Sequence, residues 1–214
     1  MKKILIFLSV FSALILPVNA KNVMPSHVSK NTTNTLGVYQ ANKEITLYDE
    51  PRDDANIVTH ISWEGDNIFP TNKDFANVFL VYLPQKELAL LAVTDETEEW
   101  VEVLYDNTTG LRGWLKKDDP YKFMSWLSFY NIYGKKYGLY FLKDTPDTIK
   151  DLHSGTEDNA QVVSHLRYPE QIKLRVMRGN WALVSVLDLD RTPKTGYIRW
   201  RSDEGIKYLF PAIK

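Results

Sequence analysis

Four histidines, 27 carboxylates and no cysteine are the residues with which this chain could do acid–base, metal or nucleophilic chemistry. The absence of cysteine excludes disulfides, a thiolate nucleophile, a cysteine zinc site and a lipidated N-terminal cysteine. His27, His60, His153 and His165 fall at no helical metal-ligand spacing, and no His-Glu-x-x-His occurs. Neither a Gly-x-Ser-x-Gly elbow nor a glycine-rich phosphate loop is written. Glu96, Glu98 and Glu99 read as a solvated charge run between strands. Asp188-Leu189-Asp190-Arg191 reads as a hairpin turn with too few oxygen ligands for calcium. His60 and His165 recur in two similar stretches. They are expected on a polar or half-buried strand face, the alternative being a pH-sensitive or metal-linked pair. No cofactor or metal is expected. A pair of carboxylates for glycoside hydrolysis stays open, because sequence alone never excludes one.

The segments that would position such groups begin with a targeting pattern. Lys2 and Lys3 precede an apolar run from Ile4 to Leu16, then Pro17 and the small-residue sequence Val18-Asn19-Ala20. This predicts a signal peptide over residues 1–20, cleaved after Ala20, and hence an exported chain, periplasmic or extracellular. The apolar run is too short for a membrane helix, and no later stretch is long enough, so no transmembrane segment is expected. Without Lys2 and Lys3, the 26 cations become 24 against 27 acids, a net charge of −3. That balance disfavours a general nucleic-acid or anionic-membrane binder. The 6 Trp, 12 Tyr and 9 Phe of the whole chain suit small β-domains that lack covalent staples.

Residues 21–35, rich in Asn, Thr and Ser, predict a flexible leader with nothing to pack it. From residue 36 short strands follow: "EITLYDEP", "ANIVTHI", a hairpin pairing Asn77–Leu83 with Glu87–Val93, and another pairing Trp100–Tyr105 with Leu111–Lys116. Residues 123, 126, 127, 130, 133 and 137 then keep helical spacing, predicting a linking helix over 119–138 with Asp119 as cap and Pro120 in first place. Strand-like writing returns over 139–214.

The two strand-rich stretches share a grammar. "DANIVTHI" sits beside "NAQVVSHL", "EWVEVLY" beside "NWALVSV", and "GLRGWLK" beside "KTGYIRW". Ala55 to Trp100 spans 45 residues and Ala160 to Trp181 only 21, so the first copy carries an insertion, placed near Asn77–Val93. In each Trp strand the valine side should face inward, leaving Trp100 and Trp181 on the outer face or a rim. Gly113 and Gly196 should sit where the chain re-enters a bent sheet.

In this order the motifs "LYDEP…ANIVTHI…EWVEVL…GLRGWLK" and "DTPD…AQVVSHL…GNWALVSV…TGYIRW" resemble the bacterial SH3-like (SH3b) domain, over roughly residues 40 to 118 and 140 to 214. The second copy has Gly-Tyr-Ile where the family pattern has Gly-Trp-Val, and the first carries its insertion. The resemblance implies a mainly β fold: two small SH3-like barrels, 36–118 and 139–214, joined by the aromatic helix. It also implies a non-catalytic binding module of the cell envelope, with a peptide, a peptidoglycan fragment or an envelope protein as partner. Tyr48, Trp114, Tyr197 and Trp200, near strand ends, are the candidate ligand contacts. The competing expectations are a carboxylate-dependent periplasmic cell-wall hydrolase with its site between the domains, and a purely structural assembly protein.

Overall fold

A computed structural model describes residues 21–118, 122–157, 159–166, 171–187 and 191–213. The expected signal peptide, the cap-and-proline start at Asp119-Pro120 and the Asp188–Asp190 turn lie outside the described residues. Among the described residues the chain is mainly β, in two antiparallel sheets. No helix among them is long and apolar enough to cross a membrane.

The first sheet contains β1 (Gly37–Gln40), β2 (Glu44–Tyr48), β3 (Ile57–Glu64), β4 (Asn67–Phe69), β5 (Val81–Leu83), β6 (Leu88–Glu96), β7 (Trp100–Asp106), β8 (Leu111–Lys116) and β9 (Phe123–Ser125). Its order is β4-β3-β2-β8-β7-β6-β1-β9, with β5 pairing β6. The second contains β10 (Leu139–Phe141), β11 (Asp151–His153), β12 (Val162–His165), β13 (Gln171–Arg178), β14 (Trp181–Leu187), β15 (Pro193–Arg199) and β16 (Leu209–Pro211). Its order is β12-β11-β15-β14-β13-β10-β16. Without β4 and β5 the two orders are the same.

The correspondence extends to register. Trp100 faces Lys116 and Val103 faces Gly113 in the first sheet; Trp181 faces Arg199 and Val184 faces Gly196 in the second. Thr46 faces His60 as Asp151 faces His165. A bulge breaks the β2–β3 ladder after Leu47 and the β11–β12 ladder after Leu152, extruding Val58 and Val163. Both valines are exposed. In β12, the outermost strand of its sheet, such a bulge disfavours pairing with another chain. Gly113 and Gly196 serve close packing: a Cβ on Gly196 would lie 2.9 Å from the His153 carbonyl oxygen, and one on Gly113 would lie 3.0 Å from Leu47 Cβ.

The expected hairpin forms with a shorter first arm, β5 pairing β6 across Pro84–Lys86, and only that first arm belongs to the insertion. Residues 67–86 hold β4, a short helix α1 (Phe75–Val78), β5 and a tight helical turn at Pro84–Lys86. Asp74 starts α1 by accepting from the Ala76 amide at 2.8 Å, so the expected strand from Asn77 yields to a local cap. Strand β6 holds the place of β13 and belongs to the shared set.

Two apolar clusters form, and alternate residues of the same strands serve both. Tyr39, Tyr82 and Leu91 join Leu47, Ile61, Val101 and Val103 inside the first sheet. Val38, Val81, Leu83 and Leu90 point the opposite way, into a second cluster with Trp126, Phe129, Tyr130, Val184, Trp200 and Phe210. The valine sides of β7 and β14 are thus the inner faces, as their alternation predicts. Trp100 is on the outer face, yet only 5% exposed.

The linking helix starts later than its periodicity suggests. Phe123–Ser125 is strand, paired with β1. Ser125 caps the first turn, its Oγ accepting from the Ser128 amide at 3.3 Å. Helix α2 (Trp126–Phe129) passes into a π-helical stretch, Tyr130–Gly134, and then α3 (Lys135–Tyr137). The buried side is Trp126, Phe129 and Tyr130; Leu127 is exposed, so the expected stripe is out of phase there. The wider π turn re-aims the side chains that follow.

Residues 21–35, expected to find no packing, are strapped across both sheets. Val23 and Tyr82 exchange backbone hydrogen bonds of 2.8 and 3.0 Å. The Val28 amide donates to the Lys143 carbonyl, and the Lys143 amide to Ser26, each at 2.9 Å. Thr32 and Thr35 are buried. Polar side chains of the segment add to these bonds: Asn31 Nδ2 donates to the Asn107 carbonyl at 2.5 Å and Lys21 Nζ to Asp74 at 2.8 Å.

One buried cluster shared by both sheets predicts one unfolding transition. Phe129→Ala should cost about 3–5 kcal/mol, the usual loss for a buried phenylalanine. Near-ultraviolet and far-ultraviolet circular dichroism should lose both sheets together in urea. Two separated transitions in the wild-type chain would contradict the shared core.

Candidate functional site

The outer faces of the two sheets carry matched clusters of rings and cations. On the first, the Tyr48 and Trp100 rings meet edge-on at 5.6 Å, and Lys116 Nζ lies 5.6 Å from the Trp100 centroid. Lys116 is paired with Asp53 at 2.5 Å, which raises its pKa. On the second, the His153 and Trp181 rings meet edge-on at 5.3 Å, and the Arg199 guanidinium lies 5.6 Å from the Trp181 centroid. Arg199 donates to Asp203 at 2.6 Å, and this bond, with another from Asn180, lowers the pKa of the Asp203 carboxyl.

Strand register builds both clusters. Tyr48 faces Trp114 and His153 faces Tyr197, so Tyr48 corresponds to His153 and Trp114 to Tyr197. All three are half-buried. The structure therefore brings Tyr48 and Trp114 together and puts Tyr197 in the equivalent place on the other sheet. Trp200 does not join them. It is fully buried in the shared core, its indole N–H donating to the Gly179 carbonyl at 2.9 Å, and it is a packing residue. Sequence reasoning missed His153, Lys116 and Arg199. A signal for the cations existed: each stands three residues after the aligned glycine, Gly113 or Gly196.

The histidine pair has a local account. His60 Nδ1 lies 3.0 Å from Thr46 Oγ1, and His165 Nδ1 lies 2.6 Å from Asp151 Oδ1. Each ring bridges to its cross-strand neighbour in its own sheet, and no group of three metal-ligating residues occurs among the described residues. Glu96 pairs with Lys117 at 2.7 Å. Two larger open cavities lie elsewhere. One, of about 720 Å³, is walled by Trp63, Phe69, Tyr82, Glu44 and Glu64 beside the insertion. The other, of about 960 Å³, lies between β10, the end of α3 and Met24. The lining of neither includes Trp114 or Tyr197.

Among the described residues Lys207 is the most displaced cation. It is 4% exposed, and burial, with the Arg201 guanidinium adding to the effect, brings its ammonium down to about 7. Its Nζ donates to the Thr32 carbonyl at 2.5 Å, Thr35 Oγ1 at 3.1 Å and the Gly205 carbonyl at 3.3 Å, and sits 4.3 Å from the Trp126 ring centroid. Three acceptors and a ring enclose it, so it fastens residues 32–35 rather than offering a reactive amine.

No family model, curated protein or solved structure matches this chain.

The Lys207 environment predicts a pH dependence of stability. An unfolded lysine holds its proton to about pH 10.4, whereas the folded ammonium loses it near 7. Between these values the unfolded chain binds more protons, so this group makes stability rise with pH; its penalty is complete below about pH 7 and vanishes above about pH 10. Urea midpoints at the two ends of that window should therefore differ more for wild type than for Lys207→Met. Equal differences would remove Lys207 as the cause.

Proposed function

We propose that this chain is a non-catalytic, exported binding protein of the cell envelope, built from two SH3-like units that each close as a small barrel. Residues 1–20 act as its signal peptide. The matched ring-and-cation clusters engage an extended peptide or a cell-wall fragment. The observation that carries this reading is the recurrence of one arrangement at one register. A half-buried aromatic, Trp114 or Tyr197, stands beside a strand whose Trp lies under a cation, Lys116 or Arg199. Rings that are partly covered yet solvent-facing combine contact area with little entropy loss on binding.

Two facts weigh against the hydrolase alternative. The space between the sheets, where paired carboxylates would need a cleft, is filled by Trp126, Phe129, Tyr130, Trp200 and Phe210. Among the described residues the carboxyls with displaced pKa, Asp49, Asp74, Asp106, Asp147, Asp203 and Glu204, are all lowered, whereas a general acid must be raised.

Titration of the protein with soluble cell-wall fragments and with extended peptides, followed by tryptophan fluorescence, tests the proposal. Trp114→Ala and Tyr197→Ala should each weaken binding, by about tenfold for loss of a stacking contact of roughly 1–2 kcal/mol. Their melting temperatures should stay within a few degrees of wild type. Clearing of cell wall embedded in a gel would overturn the proposal, as would collapse of the fold in both variants.

A further inference from the structure

The two outer faces share a frame but not a charge. On the second sheet, Lys173, Arg175 and Arg178 of β13 join Arg199 of β15 around Trp181, Leu183 and Tyr197. Arg175 reaches across to Ser185 Oγ at 3.0 Å, and the Arg178 guanidinium lies 5.7 Å from the Tyr197 centroid. Val176, 44% exposed, adds apolar surface between them. The carboxylates described on this face are occupied: Asp151 with His165, and Asp203 with Arg199. No carboxylate pairs with Lys173, Arg175 or Arg178 among the described residues. By the same register, the first sheet has Ala92, Thr94 and Thr97 at the places of those three cations, and Glu102 at the place of Leu183. The fold therefore does not demand the cations. A chain with a formal net charge of −1 gathers four of them on one sheet face.

We infer that this face of the second sheet docks an extended acidic segment of a partner protein, an inference that rests on the binding-module reading above. An apolar centre of Leu183, Val176 and Tyr197 rimmed by cations fits a strand-like segment whose alternate side chains point at the sheet. The chain itself displays the contact in miniature. Asp203, with a 72% exposed side chain, holds Arg199 beside Trp181; Asp53, 76% exposed, holds Lys116 beside Trp100. Carboxylates at such exposed positions are readily exchanged for others. Nucleic acid fits less well. Base stacking needs open ring faces, and here Arg199 lies over Trp181 and Arg178 over Tyr197. A guanidinium lying over a ring still offers its N–H edge to a carboxylate.

The test uses the full chain and a labelled, acetylated peptide of alternating Glu and Val. A length of about ten residues crosses the face at roughly 3.4 Å per residue. Binding is read by fluorescence anisotropy. The acidic peptide should bind, weaken as salt rises, and lose about tenfold or more in affinity in the Arg175→Ala/Arg178→Ala double variant. The melting temperature should not change, since both side chains are exposed. Equal binding of the same peptide with Lys in place of Glu would overturn the inference, as would an unaffected double variant. Tighter binding of a single-stranded oligothymidine, lost in the same variant, would overturn it in favour of nucleic acid. If the acidic peptide fails while cell-wall fragments still bind in a Trp114-dependent way, this inference falls and the binding-module reading stands. Failure of every probe removes both.

Discussion

The structure depends on strands that are buried on both sides. In β1, Val38 and Tyr39 point into different clusters; in β6, Leu90 and Leu91 do the same. A strand with one wet face tolerates polar residues at every second place, but one with two dry faces does not. That constraint explains the run Leu88-Ala89-Leu90-Leu91-Ala92-Val93, which has no alternation, and it explains why the second unit cannot drift from the first. The aromatic run completes the seal. Trp126, Phe129 and Tyr130 lie between the sheets, and the Tyr130 hydroxyl donates to the Leu209 carbonyl at 2.5 Å. A phenol buried this completely needs its partner, and burial holds its pKa well above the ordinary range.

Around that shared core, the repeated sheets have changed where the frame permits. Positions that set curvature and register are retained in kind: glycine at 113 and 196, the bulged valines 58 and 163, and a ring at 114 and 197. Outer-face positions have diverged in charge and size. The first copy carries the extra segment with β4, α1 and β5, in which Phe75 and Phe79 stack on Tyr82 and Phe79 meets Trp63 edge-on, enlarging its cluster. The second stayed short and received its extra apolar cover from the linking helix instead. Both solutions meet the same need, since a sheet this small buries too little by itself.

Much of this was legible in the residues because alternation and repeat depend only on local order. The valine faces of β7 and β14, the paired glycines and the matched histidines follow from counting along the chain. The rest was not, for identifiable reasons. Trp200 reads like a strand-end aromatic, and only the helix packed over it makes it core. The phase of the helix was misread at Leu127, which is exposed while Phe129 is buried, because the chain runs as strand to Ser125 and the helical turn begins only at Trp126. The packing of residues 21–35 was hidden because its polar side chains are satisfied by groups distant in sequence, such as the Thr35 hydroxyl by Lys207. Of the candidate site, Tyr48, Trp114 and Tyr197 were readable; their cations needed cross-strand register, which the aligned glycines already contained.

The strap of residues 21–35 carries the argument about rigidity one step further. It bonds to Tyr82 in the insertion, to Lys143 beyond β10, and to Lys207 before β16. Asn31 Nδ2 also donates to the Asn107 carbonyl at 2.5 Å, in the turn between β7 and β8. One segment thus ties both sheets through backbone and side-chain bonds, and the shared cluster ties them again from inside. Motion of one unit against the other would have to break hydrogen bonds and expose apolar surface together. The two outer faces are therefore presented at a fixed relative orientation. A ligand meeting both would have to match that orientation, since these ties join the two sheets directly.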